Sequence, residues 1–409
     1  MLINSGQRTD IPAFYSAWFL NRLAAASVLV RNPFYRGQLT RYRLDPSVVD
    51  CLLFCSKNPG PLLDAIGAAP APRIQEAAGC PGPAPAAAAL DLNPAGHGLD
   101  AAAAGPAETE AAALLARFRQ YWFVTITPYS ADIEPYVPPV SEAAAQLKRL
   151  SAYLESLHRA DPCEHAPGAD AVCWRYDPVV ITETYTLDFH AEAFRHMAAE
   201  LAGWTHECVI SFIDLYAKTR RNFPEGRVLR EDEMRTLAAA FGKAGRENGI
   251  AVRTCAETAD LSEYGIGRSG CVSREVLERV LMAEGTVPRG GQPGAALRGE
   301  GSAGTDAADL CTAGDARCRG RRLKIPAGRP MRPACGCVPS HDIGDYNSCL
   351  HGCRYCYANY DRAAVLRNVA LHDDSSPLLI GWPAEGESIH DAAQKSWIAG
   401  SVEQPPLLF

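Results

Sequence analysis

The feature that most constrains this chain is a repeated alternation of short apolar runs with amphipathic stretches. The runs are Leu2-Ile3, Val49–Cys55, Tyr121–Thr127, Ala171–Tyr176, Cys208–Ile213 and Ile250–Cys255. They read as continuous runs, as strands do when both faces of a parallel sheet are covered. Between them, Tyr15, Phe19 and Leu23 fall at helical spacing, as do Leu147, Leu150, Leu154 and Leu157, and Met234, Leu237, Ala238 and Phe241. The last of these is expected to span about 231–248, and a further helix about 188–202. Pro12 opens the first helix, and Gly249 is a natural stop for the last. Strand–helix alternation of this kind gives βαβ units and a parallel sheet. The expected fold is α/β, a TIM-like (β/α) barrel, open or closed, with a doubly wound sheet as the competitor.

Two stretches interrupt the pattern. Residues 67–113 are dominated by alanine, proline and glycine, and residues 285–333 are glycine-rich and then arginine-rich. Few large apolar side chains are available there to offset ordering entropy, so both are expected as insertions or linkers. The expected layout is a barrel over 1–284, a linker over 285–333, a cysteine-rich iron–sulfur segment over 334–370 with a helix over about 357–370, and a tail over 371–409. Val28-Leu29-Val30 and Leu39–Tyr42 suggest a small side hairpin. The tail closes on Gln404–Phe409, a loose match to peptides that bind bacterial sliding clamps, broken by Pro405 and Pro406.

In parallel barrels and open sheets, chemistry collects where the strands end. Here the ends carry Arg8 and Asp10, Lys57 and Asn58, Thr127, Arg175 and Asp177, Asp214, and Glu257. As a set they suit a polar or anionic ligand, because arginine grips carboxylate or phosphate through its planar fork. Singly, each is explained as well by a helix cap or an ion pair. No G-x-G-x-x-G directly follows an apolar run, and no P-loop, G-x-S-x-G or H-E-x-x-H occurs, so nicotinamide, P-loop, serine-hydrolase and zincin readings lack their machinery. The net charge of −7 argues against a protein-wide attraction for nucleic acid, leaving the arginines at 317–322 as a local candidate. No signal peptide or run of eighteen apolar residues is visible, so a cytoplasmic location without a membrane span is expected.

Fifteen cysteines, clustered late, fit a metal centre in a reducing compartment better than a disulfide framework. Cys349, Cys353 and Cys356 form C-x3-C-x2-C with Tyr355 before the last cysteine. Three thiolates suit a 4Fe-4S cluster with one iron left for a non-protein ligand. The alternative is zinc, with His351 or a distant cysteine as fourth partner. Cys255, Cys271, Cys335 and Cys337 remain, and four thiolates would complete a second cluster or a zinc site. Cys51, Cys173 and Cys208 lie inside apolar runs and read as core.

The C-x3-C-x2-C spacing is similar to the cluster motif of radical S-adenosylmethionine (SAM) enzymes. Nearly end to end, the chain resembles an uncharacterised bacterial and archaeal domain family. The match rests on R-T-D-I-P-A-F (Arg8–Phe14), K-N-P (Lys57–Pro59), W-R-Y-D-P (Trp174–Pro178), T-C-A-E (Thr254–Glu257) and C-G-C through C-x-Y-C-Y-A-N (Cys335–Asn359). That resemblance implies a C-terminal iron–sulfur site like that of radical SAM enzymes. Here the motif follows the sixth strand candidate rather than the first, and the G-G-E that holds the SAM amino group is absent.

Three functions are therefore expected as candidates. The first is reductive SAM cleavage with hydrogen abstraction from an unknown substrate, which needs a reductant. Arg8, Asp10, Arg175, Asp177 and Glu257 would then hold SAM and substrate, beside Lys57, Asn58 and Tyr355. The second is a divalent-metal hydrolase or nuclease using Asp10, Asp177, Asp214 and Glu257. The third is a redox-sensing or partner-binding iron–sulfur protein.

Overall fold

The computed structural model of the chain describes residues 1–35, 37–69, 108–282, 321–326 and 335–399. Most of both low-complexity stretches and the Gln404–Phe409 peptide lie outside the described residues.

Eight strands form one all-parallel sheet: β1 (Leu2–Asn4), β2 (Cys51–Ser56), β3 (Gln120–Thr125), β4 (Val172–Val179), β5 (Glu207–Phe212), β6 (Ala251–Thr254), β7 (Gly267–Arg268) and β8 (His341–Asp342). Their order across the sheet is β8-β1-β2-β3-β4-β5-β6-β7. Each strand from β2 to β7 thus lies beside its predecessor, while β8 returns to β1. No ladder joins β7 to β8 among the described residues. A single backbone bond, Val338 N–H to the Val272 carbonyl at 2.9 Å, spans that seam. All six apolar runs became strands, and β7 and β8 add two that are each only two residues long.

Alternation along the strands sorts the side chains. Trp122 stacks on Phe54 at 3.9 Å between ring centres, and Trp174 stacks on Phe194 at 4.7 Å. Phe194 comes from the helix Leu187–Leu201 and stacks in turn on Phe241 of the helix Glu231–Glu247 at 4.2 Å. This aromatic layer joins sheet to helices. The helix Val140–Ala160 adds buried Leu147, Leu150 and Leu154. The opposite parity, Tyr121, Arg175, Glu207 and Arg253, meets across the other face. There Glu207 accepts from Tyr121 Oη at 2.8 Å, Arg253 at 2.9 Å and Arg279 at 2.6 Å. Burial pushes the Glu207 carboxyl up, but the two arginines overcome this and hold it below its ordinary value.

The side hairpin forms from Ser27–Arg31 and Gln38–Arg43, and Ser388–Asp391 joins it in parallel. Within the cysteine-rich segment the helix begins at Arg362, not near 357. Asp361 caps it by accepting from Ala364 N–H at 2.7 Å. Residues 357–360 are instead tied back: Tyr357 Oη donates to the Gln7 carbonyl at 2.5 Å, and Asn359 donates to the Cys349 carbonyl at 2.8 Å. No helix among the described residues is long and apolar enough to cross a membrane.

Candidate metal centre at the strand ends

Because all strands of the sheet are parallel, one edge gathers every strand end. The chain after β1 delivers Asp10, whose carboxylate caps the helix Ile11–Phe14 through Ala13 N–H at 3.1 Å. It also accepts from Lys57 N–H at 2.7 Å and faces His351 Nε2 at 2.8 Å. The cysteine loop is thereby fastened to β1 and β2 together. Lys57 follows β2 and reaches Glu134 at 2.8 Å, with Thr127 Oγ1 at 3.3 Å. Burial alone would drive the Lys57 ammonium down; Glu134 and Cys353 reverse this and hold it above its ordinary value. Glu134 also accepts from Thr127 at 2.8 Å and from Tyr355 Oη.

The C-x3-C-x2-C loop lies over this edge. Arg354 N–H donates to the Ile133 carbonyl at 3.0 Å, and its guanidinium pairs with Glu225. Tyr136 N–H donates to the His351 carbonyl at 3.2 Å. Both His351 ring nitrogens face oxygen, Asp10 on one side and the Tyr136 carbonyl at 3.2 Å on the other, so this ring is committed to oxygen rather than to a metal. Cys349 lies within charge range of Asp10 and of both other loop cysteines. Cys353 lies within range of Lys57, Glu134 and Cys356. Burial pushes the Cys349 and Cys353 thiols up. The three sulfurs are not all within 4.8 Å of one another. A cubane does not require that, since its ligating sulfurs stand roughly 6–7 Å apart. Three soft donors on one half-buried loop beside a lysine ammonium make a donor set suited to a metal.

Arg175 occupies the middle of the edge. It donates to Cys55 Sγ at 3.1 Å, pairs with Asp177, and lies over the Phe123 ring at 5.5 Å. Burial would lower this guanidinium, yet Asp177, Cys55, Cys271 and Cys255 together hold it raised. Asp177 is further fixed by Ser211 Oγ. Beyond Arg175 stand Cys255, Cys271 and Cys337, whose sulfurs all lie within 4.8 Å of one another. Among the described residues these form the one group of three or more such donors at that spacing.

Other expected site residues have local work. Asn58 accepts from Gly60 N–H at 3.1 Å at the start of the helix Gly60–Ala65. Glu257 accepts from Phe212 N–H at 2.8 Å, and Arg8 sits 3.8 Å from Asp342. Asp214 is exposed. Asp10, Asp177, Asp214 and Glu257 do not converge within 4.8 Å, so they make no carboxylate cage. Cys335, expected as a fourth sulfur, is not in the triad. Sequence reasoning missed Glu134 and Cys55. Glu134 lies in a Pro-flanked loop nine residues past the end of β3, with Asp132 two residues before it, so nothing in the local sequence singled it out.

The family description for the domain of unknown function DUF1848 matches residues 2–75 and 104–358. The chain belongs to the DUF1848 family. That match spans β1 through β8 and reaches past the last cysteine of the C-x3-C-x2-C loop. No curated protein and no solved structure matches the chain.

Proposed function

We propose that this DUF1848 protein is an iron–sulfur enzyme with radical SAM-like chemistry, its cluster held by Cys349, Cys353 and Cys356. The supporting observation is that the three-cysteine loop is fastened over the strand ends, against Asp10, Lys57 and Glu134, instead of standing apart as a structural clasp. A three-thiolate 4Fe-4S cluster supplies a site for one exogenous ligand and a single electron for reductive cleavage of SAM. The protein's own residues bind, orient and exclude water. Lys57 offsets negative charge beside Cys353. Tyr355 and Arg354 anchor the loop through Glu134 and Glu225. In this reading Arg175, at the middle of the strand-end edge, is the cation that would orient an anionic substrate group. In this reading the sheet is a TIM-like barrel open between β7 and β8, with the substrate entering over the strand ends.

The test is anaerobic isolation with iron and sulfide analysis, then reduction in the presence of SAM and detection of 5′-deoxyadenosine. About four irons per chain and product formation that Cys353→Ala abolishes are expected. Iron-free protein from anaerobic cells would overturn the reading.

A further inference from the structure

The triad beyond Arg175 is built differently from the loop. Its sulfurs come from three separate chain segments: Cys255 just past β6, Cys271 after β7, and Cys337 ahead of β8. The backbone is shaped to bring them together. Cys255 N–H bonds to the Ile210 carbonyl at 3.0 Å, extending the β5–β6 pairing by one step. Val338 N–H bonds to the Val272 carbonyl at 2.9 Å, placing the residues next to Cys337 and Cys271 side by side. Gly270 makes this approach feasible, since a Cβ there would lie 2.4 Å from the Gly336 carbonyl carbon and 2.5 Å from Cys337 N. Arg253, itself paired with Glu207, donates to the Gly270 carbonyl at 3.1 Å and pins the turn. Gly265–Gly270 spells G-x-G-x-x-G, but its last glycine is spent on this close approach.

Spacing then selects the ligand. The Cys271 and Cys337 sulfurs are 3.1 Å apart, and all three lie within 4.8 Å. A disulfide requires about 2.05 Å. A cubane spreads its sulfurs to roughly 6–7 Å. One tetrahedral ion with metal–sulfur bonds near 2.3 Å sets them about 3.8 Å apart, between the observed limits. Thiolates favour a soft or borderline ion, and zinc is the tetrahedral one without redox chemistry.

We propose that Cys255, Cys271 and Cys337 bind a single zinc ion, with the fourth position left to an exchangeable ligand. Three thiolates on a divalent cation leave a net negative charge, which Arg175 is placed to offset. The site is separate from the iron–sulfur loop, and its zinc readout stands whether or not that loop holds iron.

The experiment uses the full chain, isolated anaerobically from zinc-supplemented medium, with metal analysis and zinc X-ray absorption. One zinc per chain is expected, with three sulfur scatterers near 2.3 Å. Cys271→Ser and Cys337→Ser should each reduce zinc at least tenfold while leaving loop iron unchanged. Cys353→Ala should do the reverse. Gly270→Ala keeps every ligand and should still weaken zinc binding about tenfold. Cys335→Ser should retain full zinc, whereas its loss there would show a closed four-cysteine site and overturn the open one. Should the cysteine variants fail to fold, the wild-type absorption data decide alone: zinc absent, or bound by no sulfur or by four, overturns the proposal.

Discussion

Glu134 is 3% exposed and takes three hydrogen bonds, from Lys57, Thr127 and Tyr355. A carboxylate so enclosed depends on its cation. Lys57→Met should cost about 3–5 kcal/mol, because the charge left behind is buried and unpaired. The double variant Lys57→Met with Glu134→Leu should recover most of that loss. Guanidinium denaturation of all three variants measures both effects, and a Lys57→Met protein of wild-type stability would refute the pairing. Asp342 makes a contrasting case. Burial raises its carboxyl from 3.8 to about 6 in the folded chain, despite Arg8 nearby. The folded state therefore keeps a proton that the unfolded state has already lost, so stability falls as pH rises from about 4 to about 6 and levels off above. The fall is on the order of 2–3 kcal/mol. Asp342→Asn should flatten that part of the stability–pH curve relative to wild type. Neither residue's role was legible in the sequence. Asp10 and Lys57 stand at strand ends where a parallel sheet concentrates polar groups, but Glu134 sits in a loop whose path the local sequence does not set.

The elements divide along the same line. Strands β1 to β6 were legible because each falls in an apolar run, most of them followed by a helix of clear periodicity. Strands β7 and β8 were not, since Gly267-Arg268 and His341-Asp342 carry no apolar pattern and pair only because their neighbours present an open edge. The cysteine-segment helix was placed too early because Tyr357 and Asn359 spend their hydrogen bonds on Gln7 and Cys349 before Asp361 can cap it. Gly6 shows how tightly one element passes another. A Cβ there would lie 2.2 Å from the Cys55 carbonyl oxygen and 2.5 Å from Cys55 Cβ. Gly6→Ala must push the loop after β1 off β2, and with it Asp10 off the Lys57 N–H. The expected result is a loss of about 1–3 kcal/mol, as for other overpacked sites. Iron retained per chain should fall too, because Asp10 also faces His351 of the cluster loop. Unchanged iron alongside lowered stability would separate Gly6 from the site.

At the scale of the molecule, the return of β8 to β1 sets a late segment of the chain against its beginning. Beyond the cysteine loop the chain keeps packing. Trp18 Nε1–H donates to the Ser376 carbonyl at 2.9 Å, and Asp50 accepts from Trp397 N–H at 2.8 Å and Ser396 Oγ at 2.5 Å. Leu378 closes a small cluster with Leu29 and Leu39 of the side hairpin, while Leu379, Ile380, Trp397 and Ile398 join the main core. Nothing in the local pattern of 371–399 announces this, because its apolar residues are few and its partners lie more than three hundred residues away. A chain ending at residue 370 keeps all eight strands of the sheet and every cysteine assigned to a metal here. It loses five buried apolar side chains worth roughly 1.5–3 kcal/mol each at full burial. That sum rivals the whole stability of an ordinary domain, about 5–15 kcal/mol. It also uncovers Trp18 and Leu39, both fully buried in the intact chain. The truncated protein should therefore aggregate on expression or melt at least 10 °C lower, in keeping with losses of several kcal/mol. If it instead melts with the full chain and holds the same iron and zinc, residues 371–399 are a dispensable wrapping and the two ends of the fold are held by β8 alone.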